Sequence, residues 1–309
     1  MNNKFFIRIG LVLLLIQFFS CTNSNTQKAL PKNADTLVVW ADTSLGVFTN
    51  EHRKAFQNDG KPPIISLVYK NESEIITALL NNKIHAAFLQ RLLSSAEATA
   101  IEKVSDFYPK QYTFAYDAFV FLCSSKNNFD SISIENIEGV LKGKTNPSFN
   151  SLIKNILVEN KNALSVQFLK SKFNLNQQEL ANLYTQNSPK ELFAYLKAYP
   201  NSIGVIPFSY ISDVESESIA EMLIGLKVLS VNYSDSSKKR ITVLPSQSSI
   251  ATNEYPLITP IVFINSNMPF KSGINFVNYL YKPRAQRLVL KLGLCPAIFP
   301  GREIKINTK

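Results

Sequence analysis

The sequence is poor in the residues that build most metal and catalytic sites. Its 309 residues include three cysteines, two histidines and ten glycines. Cys123, Cys295, His52 and His85 show no metal-ligand spacing, so we expect no metal and no cofactor. In an oxidising compartment the two cysteines could pair, but their apolar surroundings favour buried free thiols at least as strongly.

Long basic runs are also missing, although the chain is basic as a whole. The formal net charge is +10, yet no run of five lysines or arginines occurs. Basic residues do not interleave with aromatic residues in any one segment, so we do not expect a nucleic-acid partner. The positive balance suits an anionic ligand, an anionic membrane surface or simply a solvated surface.

The N-terminus carries an apolar run that is too short to cross a bilayer comfortably. Lys4 and Arg8 precede this run, and a small residue, Ser20, follows it. This order predicts a secretory signal peptide over residues 1–20. No later hydrophobic stretch approaches the length of a transmembrane helix, so we expect the remainder to lie outside the cytoplasmic membrane.

The residues around the predicted cleavage point favour a lipoprotein. Phe18-Phe19-Ser20-Cys21 resembles a bacterial lipobox, which implies that Cys21 becomes the mature N-terminus and carries acyl chains. Several chains give stable membrane anchoring where one does not. The alternative is a plain cleaved signal followed by an incidental cysteine. Residues 21–35 are polar and predict a flexible tether.

Strand and helix patterns alternate in the first part of the chain. Apolar runs predict strands at 37–41, 64–69 and 84–89, with helices over 50–58 and 71–80 between them. This alternation is typical of a doubly wound α/β lobe.

A second α/β set follows a long apolar run at 114–123. The patterns there predict helices at 134–141, 148–158, 177–183 and 189–198, strands at 203–208, 228–233 and 258–265, and a helical stretch over 273–292 that is kinked near Pro283. The order predicts two lobes joined by two crossings. We expect residues 36–118 and 251–309 in lobe one and residues 119–250 in lobe two.

Four segments resemble the substrate-binding proteins of phosphate ABC transporters. They are the strand with Asp117-Ala118, the run Ile203-Gly204, the entry Tyr255-Pro256-Leu257, and a C-terminal helix with Gln286-Arg287 that ends at Gly293-Leu294. The resemblance implies a type II periplasmic-binding-protein fold, in which two α/β lobes close over a small solute. In such folds helix N-termini and loop amides bind the oxyanion.

The resemblance also implies a set of ligand residues. Thr43 and Ser44 follow the first strand, and Arg91 follows the third. Ser148 and Asn150 stand at a predicted helix start in lobe two, where the glycine and arginine typical of the family are missing. The alternatives are that Thr43 and Ser44 cap the next helix and that Arg91 is a surface arginine.

These observations predict a monomeric, lipid-anchored protein of the cell envelope that faces the periplasm. We expect it to capture phosphate or a similar small oxyanion for an ABC permease. A different class of function is an envelope sensor or structural lipoprotein that reuses the scaffold with an altered or lost ligand. A hydrolase would need a nucleophile and an oriented base. His52 and His85 lie in no recognised motif, although a carboxylate pair stays open, and we do not expect an enzyme.

Overall fold

The structure is a computed structural model. It describes residues 36–58, 63–144, 153–176, 180, 182–213, 215–234, 237–268 and 270–301. The predicted signal peptide, the tether, Cys21, Ser148 and Asn150 lie outside the described residues.

The first strands and helices follow the predicted order. β1 (Thr36–Asp42) lies between β2 (Ile64–Lys70) and β3 (Ala86–Leu89), and all three strands are parallel. Helix α1 (Gly46–Gln57) connects β1 to β2, and α2 (Glu72–Leu80) connects β2 to β3. Parallel strands need such crossovers, and the helices cover the sheet.

Two long strands occupy the centre of the sheet. β12 (Ile258–Asn265) runs antiparallel to β3 on one side and to residues 110–118 of β4 (Lys110–Ser124) on the other. Further along, residues 119–122 of β4 pair with β8 (Ser202–Pro207). β4 therefore joins the first part of the sheet, formed by β1, β2, β3 and β12, to a second part that begins with β8.

The second part of the sheet consists of short parallel strands. β6 (Asn155–Val158) lies between β8 and β7 (Leu183–Thr185). The main path of the sheet is β2-β1-β3-β12-β4-β8-β6-β7. The remaining strands are β5 (Ser131–Ser133), β9 (Leu226–Val228), β10 (Ser230–Ser234), β11 (Arg240–Val243) and β13 (Cys295–Pro296).

Within the described residues, eight further helices pack around these strands. They are α3 (Ser95–Ser105), α4 (Ile134–Leu141), α5 (Leu164–Phe173), α6 (Pro189–Ala198), α7 (Glu217–Leu223), α8 (Gln247–Ala251), α9 (Phe270–Leu280) and α10 (Pro283–Lys291). The predicted kink of the C-terminal helix is confirmed, because α9 ends at Leu280 and α10 starts at Pro283, where the ring fits the first helical turn.

Two predicted helices of the second part are wrong at the residues that the structure describes. Asn155–Val158, assigned to a helix over 148–158, forms β6, and Leu183, assigned to a helix over 177–183, starts β7. A short apolar run cannot distinguish a buried strand from a helix segment by its periodicity. The helix that follows β6, α5, was not predicted at all.

The apolar core is divided in the same way as the sheet. One large cluster surrounds residues 118–123 of β4, which are all buried because both faces of this strand are covered. Two other clusters pack on the first part of the sheet. The lobe boundaries at 118/119 and 250/251 remain a prediction.

Cys123 and Cys295 are both free and buried, and burial raises the pKa of each thiol. None of the helices in the described ranges has the length and hydropathy to cross a bilayer.

Candidate functional site

The turn after β1 holds two of the sequence-predicted ligand residues. Thr43 and Ser44 lie in a short 3-10 turn ahead of α1. The carboxylate of Asp42 accepts hydrogen bonds from the Ser44 N–H at 2.9 Å and from the Ser44 hydroxyl at 2.7 Å. Burial raises the pKa of Asp42, although the bonds from Ser44 and from the Glu72 backbone oppose the shift. The donors of Ser44 are therefore occupied by a carboxylate of the protein itself.

The guanidinium of Arg91 is held by two carboxylates. Its Nε donates to Glu72 Oε1 at 2.6 Å, and its two terminal nitrogens donate to Glu97 at 2.8 and 2.9 Å. Hydrogen bonding from Arg91 lowers the pKa of Glu97 to about 2. An anionic solute at Arg91 would have to share the guanidinium with these two side chains.

A buried polar group joins the two parts of the molecule. Gln90 Nε2 donates to Asp117 Oδ2 at 2.8 Å and to Thr259 Oγ1 at 3.2 Å. The other oxygen of Asp117 accepts from the backbone N–H groups of Ala118 and Ser209 at 2.7 and 3.1 Å. Burial raises the pKa of Asp117 to about 6, although these donors oppose the shift. Asp117 therefore connects β3, β4 and the turn after β8.

Glu159 lies directly after β6 and is 2% exposed. The Ser165 hydroxyl lies 3.1 and 2.9 Å from its two carboxylate oxygens. Burial, with a smaller contribution from the charge of Asp42, raises the pKa of Glu159 to about 7, although hydrogen bonds oppose the shift. Burial also raises the pKa of Tyr210, and the charges of Glu159, Asp42 and Asp117 add to this shift. The carboxyl ends of β1 and β6 therefore approach each other.

Two cavities lie at these strand ends, and we call them together the crevice. The first cavity has a volume of about 390 Å³, and its polar lining includes Thr43, Ser44, Ser209 and Tyr210. The second cavity has a volume of about 360 Å³ and lies between the ends of β2 and β3 and one side of α5. Its lining includes Glu72, Gln90, Arg91, Glu97, Thr259 and Gln167.

The structure places the predicted ligand residues at different points of this crevice. Thr43 and Ser44 line the first cavity and Arg91 lines the second. Sequence reasoning missed the carboxylates Asp42, Glu72 and Glu159. A signal for two of them was available, since Asp42 ends β1 and Glu159 follows β6, and polar residues at the carboxyl ends of parallel strands tend to line ligand sites.

His52 is placed where it cannot serve as a catalytic base. It is fully buried, its ring packs against Phe48, Phe114 and Tyr279, and neither ring nitrogen has a hydrogen-bond partner among the described residues. Burial lowers its pKa to about 3. This histidine is part of the apolar core.

The fold and the crevice together define a class. The sheet has two parts, which are linked by β4 and by the return to β12, and a crevice lies at the strand ends. This arrangement is the type II periplasmic-binding-protein fold. The predicted fold class is confirmed. A family model described as a PBP superfamily domain matches residues 26–284, so the chain belongs to this family of solute-binding proteins. No curated protein matches the chain.

Several solved structures share this fold. A protein from Clostridium perfringens, described as a phosphate ABC transporter substrate-binding protein with bound phosphate, is 16% identical with a TM-score of 0.66. That alignment covers 85% of this chain and 100% of the other. An ABC-type phosphate transport receptor from Vibrio cholerae is 15% identical with a TM-score of 0.64, covering 84% of this chain and 99% of the other. PstS from Borrelia burgdorferi is 20% identical with a TM-score of 0.57, covering 85% and 98%.

Proposed function

We propose that this protein is an extracytoplasmic solute-binding protein that captures phosphate or a similar small oxyanion for an ABC permease. The observation that carries the proposal is the crevice between the two parts of the sheet, with hydroxyl side chains around its first cavity. Three structures of the same fold, named for phosphate transport or as PstS, support the choice of ligand.

The first cavity has hydroxyl groups that can donate to an oxyanion, next to Asp213 and six apolar side chains. Thr43, Ser209 and Tyr210 bring hydroxyl groups from both parts of the molecule to one place. Because burial raises the pKa of Tyr210, its phenol stays protonated and can donate a hydrogen bond. A solute that contacts both parts stabilises the arrangement that brings them together, which is the physical basis of closure by hinge motion.

Ligand-dependent melting of the purified protein without its N-terminal 20 residues tests this function. A solute that binds only the native state stabilises it by about 2.7 kcal/mol at one hundred times its Kd. We therefore expect phosphate to raise the melting temperature, with a larger rise at higher concentration. A panel of phosphate, sulfate and other oxyanions that leaves the melting temperature unchanged would contradict the proposal.

The ligand residues are also part of the proposal. We propose Thr43, Ser44, Arg91, Ser148 and Asn150 as the residues that contact the solute. Arg91→Ala should abolish the rise produced by phosphate. Arg53→Ala is the matched control, because Arg53 lies on α1 and, among the described residues, its side chain bonds Asn50 and Gln57. An undiminished rise in Arg91→Ala would remove Arg91 from the site.

We further propose that the protein is anchored to the membrane through lipid on Cys21, faces the periplasm, acts as a monomer and catalyses no reaction. The sequence Phe18-Phe19-Ser20-Cys21 supports the anchor. Cys21→Ser should release the protein from membranes into the soluble fraction. Continued membrane association of this variant would overturn the lipid attachment.

A further inference from the structure

Two residues that line the second cavity each carry a buried oxygen atom without a partner in the described part of the chain. Glu72 Oε2 and Gln90 Oε1 make no hydrogen bond within the described part of the chain, although the two residues are only 6% and 1% exposed. Both residues line the second cavity. A buried polar atom without a partner costs stability, so native proteins usually satisfy it with a protein group, a water or a ligand.

Both of these atoms are hydrogen-bond acceptors. The amide orientation of Gln90 is fixed by Asp117, because the NH₂ group must face the carboxylate and the carbonyl oxygen is left over. One carboxylate oxygen of Glu72 accepts a hydrogen bond from Arg91, while the other has no donor among the residues that the structure describes. A ligand that fits the second cavity therefore has to bring N–H or O–H groups.

The electrostatics of the crevice favour a positive group over a neutral one. Glu72 and Glu97 line the second cavity, Asp213 lines the first, and Asp117 contacts a lining residue of each. Among the described residues that line the cavities, the only cation is Arg91, which is already paired with Glu72 and Glu97. The excess of carboxylates attracts a cation, and hydrogen bonds between ionised partners are stronger than neutral ones.

The first cavity and the second each include a residue that contacts the same buried side chain, Asp117. Asp117 binds Gln90 through one oxygen and the backbone of Ser209 through the other. Gln90 lines the second cavity and Ser209 lines the first. A single buried carboxylate therefore separates the two kinds of lining.

We propose that the solute captured in the crevice is a small oxyanion that also carries an amine, such as an aminoalkyl phosphonate or phosphate ester. Its oxyanion lies against the hydroxyl groups of Thr43, Ser209 and Tyr210, and its ammonium donates to Glu72 Oε2 and Gln90 Oε1. This inference rests on the solute-capture function proposed above and narrows the class of ligand.

Calorimetric titration with three phosphorus compounds tests the inference. Aminoethylphosphonate carries the ammonium, ethylphosphonate is the same compound without the amino group, and inorganic phosphate is the parent oxyanion. We expect aminoethylphosphonate to bind about tenfold or more tightly than ethylphosphonate, the factor typical of a charge-assisted hydrogen bond. This comparison uses the unaltered binding region and needs no substitution.

Substitution of Glu72 then locates the ammonium. Glu72→Gln keeps an oxygen for Arg91 but removes the charge, and it should abolish most of the preference for the aminated compound. Glu74→Gln is the matched control, because Glu74 lies in the same helical turn with its side chain at the surface, paired with Lys70. It should leave the preference unchanged.

The outcomes separate the two proposals. Equal affinity for the aminated compound and ethylphosphonate, or tight binding of inorganic phosphate alone, would overturn the inference and leave oxyanion capture standing. A preference that survives Glu72→Gln undiminished would also overturn it. Failure of all three compounds to bind would overturn both the inference and the capture of phosphate.

Discussion

At the scale of single residues, the buried ionisable groups set how the protein responds to pH. His52 lies in an aromatic core with its pKa lowered to about 3, against an ordinary value of 6.5. Below pH 6.5 the unfolded chain binds a proton at this histidine and the native state does not. His52 therefore contributes no pH dependence above 6.5, and it destabilises the protein increasingly as pH falls from 6.5 towards 3.

Replacing His52 by Leu should make the protein less sensitive to acid. Each pH unit below 6.5 lowers the free energy of unfolding by about 1.4 kcal/mol through this histidine. The decrease in this free energy between pH 7.5 and 5 should therefore be smaller by about 2 kcal/mol in His52→Leu than in the wild type. The measurement is urea unfolding of both proteins at the two pH values. An equal loss in wild type and variant would show that His52 is protonated or exposed in the native state.

The net charge of the chain does not predict the charge of the crevice. The net charge of +10 suits an anionic ligand, yet the described lining of the crevice carries more carboxylates than cations. Net charge describes solubility and long-range attraction, and it does not determine which residues meet at a site. The sequence did not predict the two carboxylate partners of Arg91. These partners occupy the guanidinium donors that we expected to bind a solute.

At the scale of elements, the end of α10 depends on one glycine. Gly293 follows the helix with φ of +77°, and its N–H donates to the carbonyl of Leu290. A Cβ at this position would collide with the backbone carbonyl of Ser212. Both the left-handed backbone and the close approach therefore require glycine here.

A pair of alanine substitutions separates these two requirements. Gly143 follows α4 with φ of +64°, but a Cβ there would meet nothing within 4 Å. Gly143→Ala should lower the free energy of unfolding by about 1–2 kcal/mol, because it introduces only the strain of a left-handed backbone. Gly293→Ala should cost about 1–3 kcal/mol more, because Ser212 must move. Urea unfolding measures both, and equal losses would mean that the Ser212 contact is relieved easily.

At the scale of the whole molecule, β4 connects the two parts of the sheet without interruption. Its first residues pair with β12 and its last with β8, and Phe208 packs against the large cluster and against a cluster of the first part. Damage to either part should therefore reach the other, and we expect one cooperative unfolding transition.

The single tryptophan provides a test of this cooperativity. Trp40 lies on β1 in the first part, while Leu157 is fully buried on β6 in the second part. Leu157→Ala should cost about 2–5 kcal/mol through the cavity it leaves. The urea midpoints measured by tryptophan fluorescence and by far-UV circular dichroism should both fall by the same amount. A fluorescence midpoint that does not move would show that the two parts unfold independently.

The sequence by itself determined the features that depend on local pattern. The runs that form β1, β2 and β12, the Asn71 start of α2 and the break at Pro283 follow from apolar periodicity, capping chemistry and the fixed φ of proline. The order of segments and their resemblance to phosphate-binding proteins were enough for the fold class.

Only the tertiary structure decided the features that depend on distant partners. β6 is a strand because β7 and β8 pair with it, although its apolar run alone also fits a helix. Gln90 meets Thr259, which lies 169 positions further along the chain, and this contact leaves the Gln90 carbonyl without a donor in the described part of the chain. Pairing in a parallel sheet and the satisfaction of buried polar groups are long-range properties, so no local pattern encodes them.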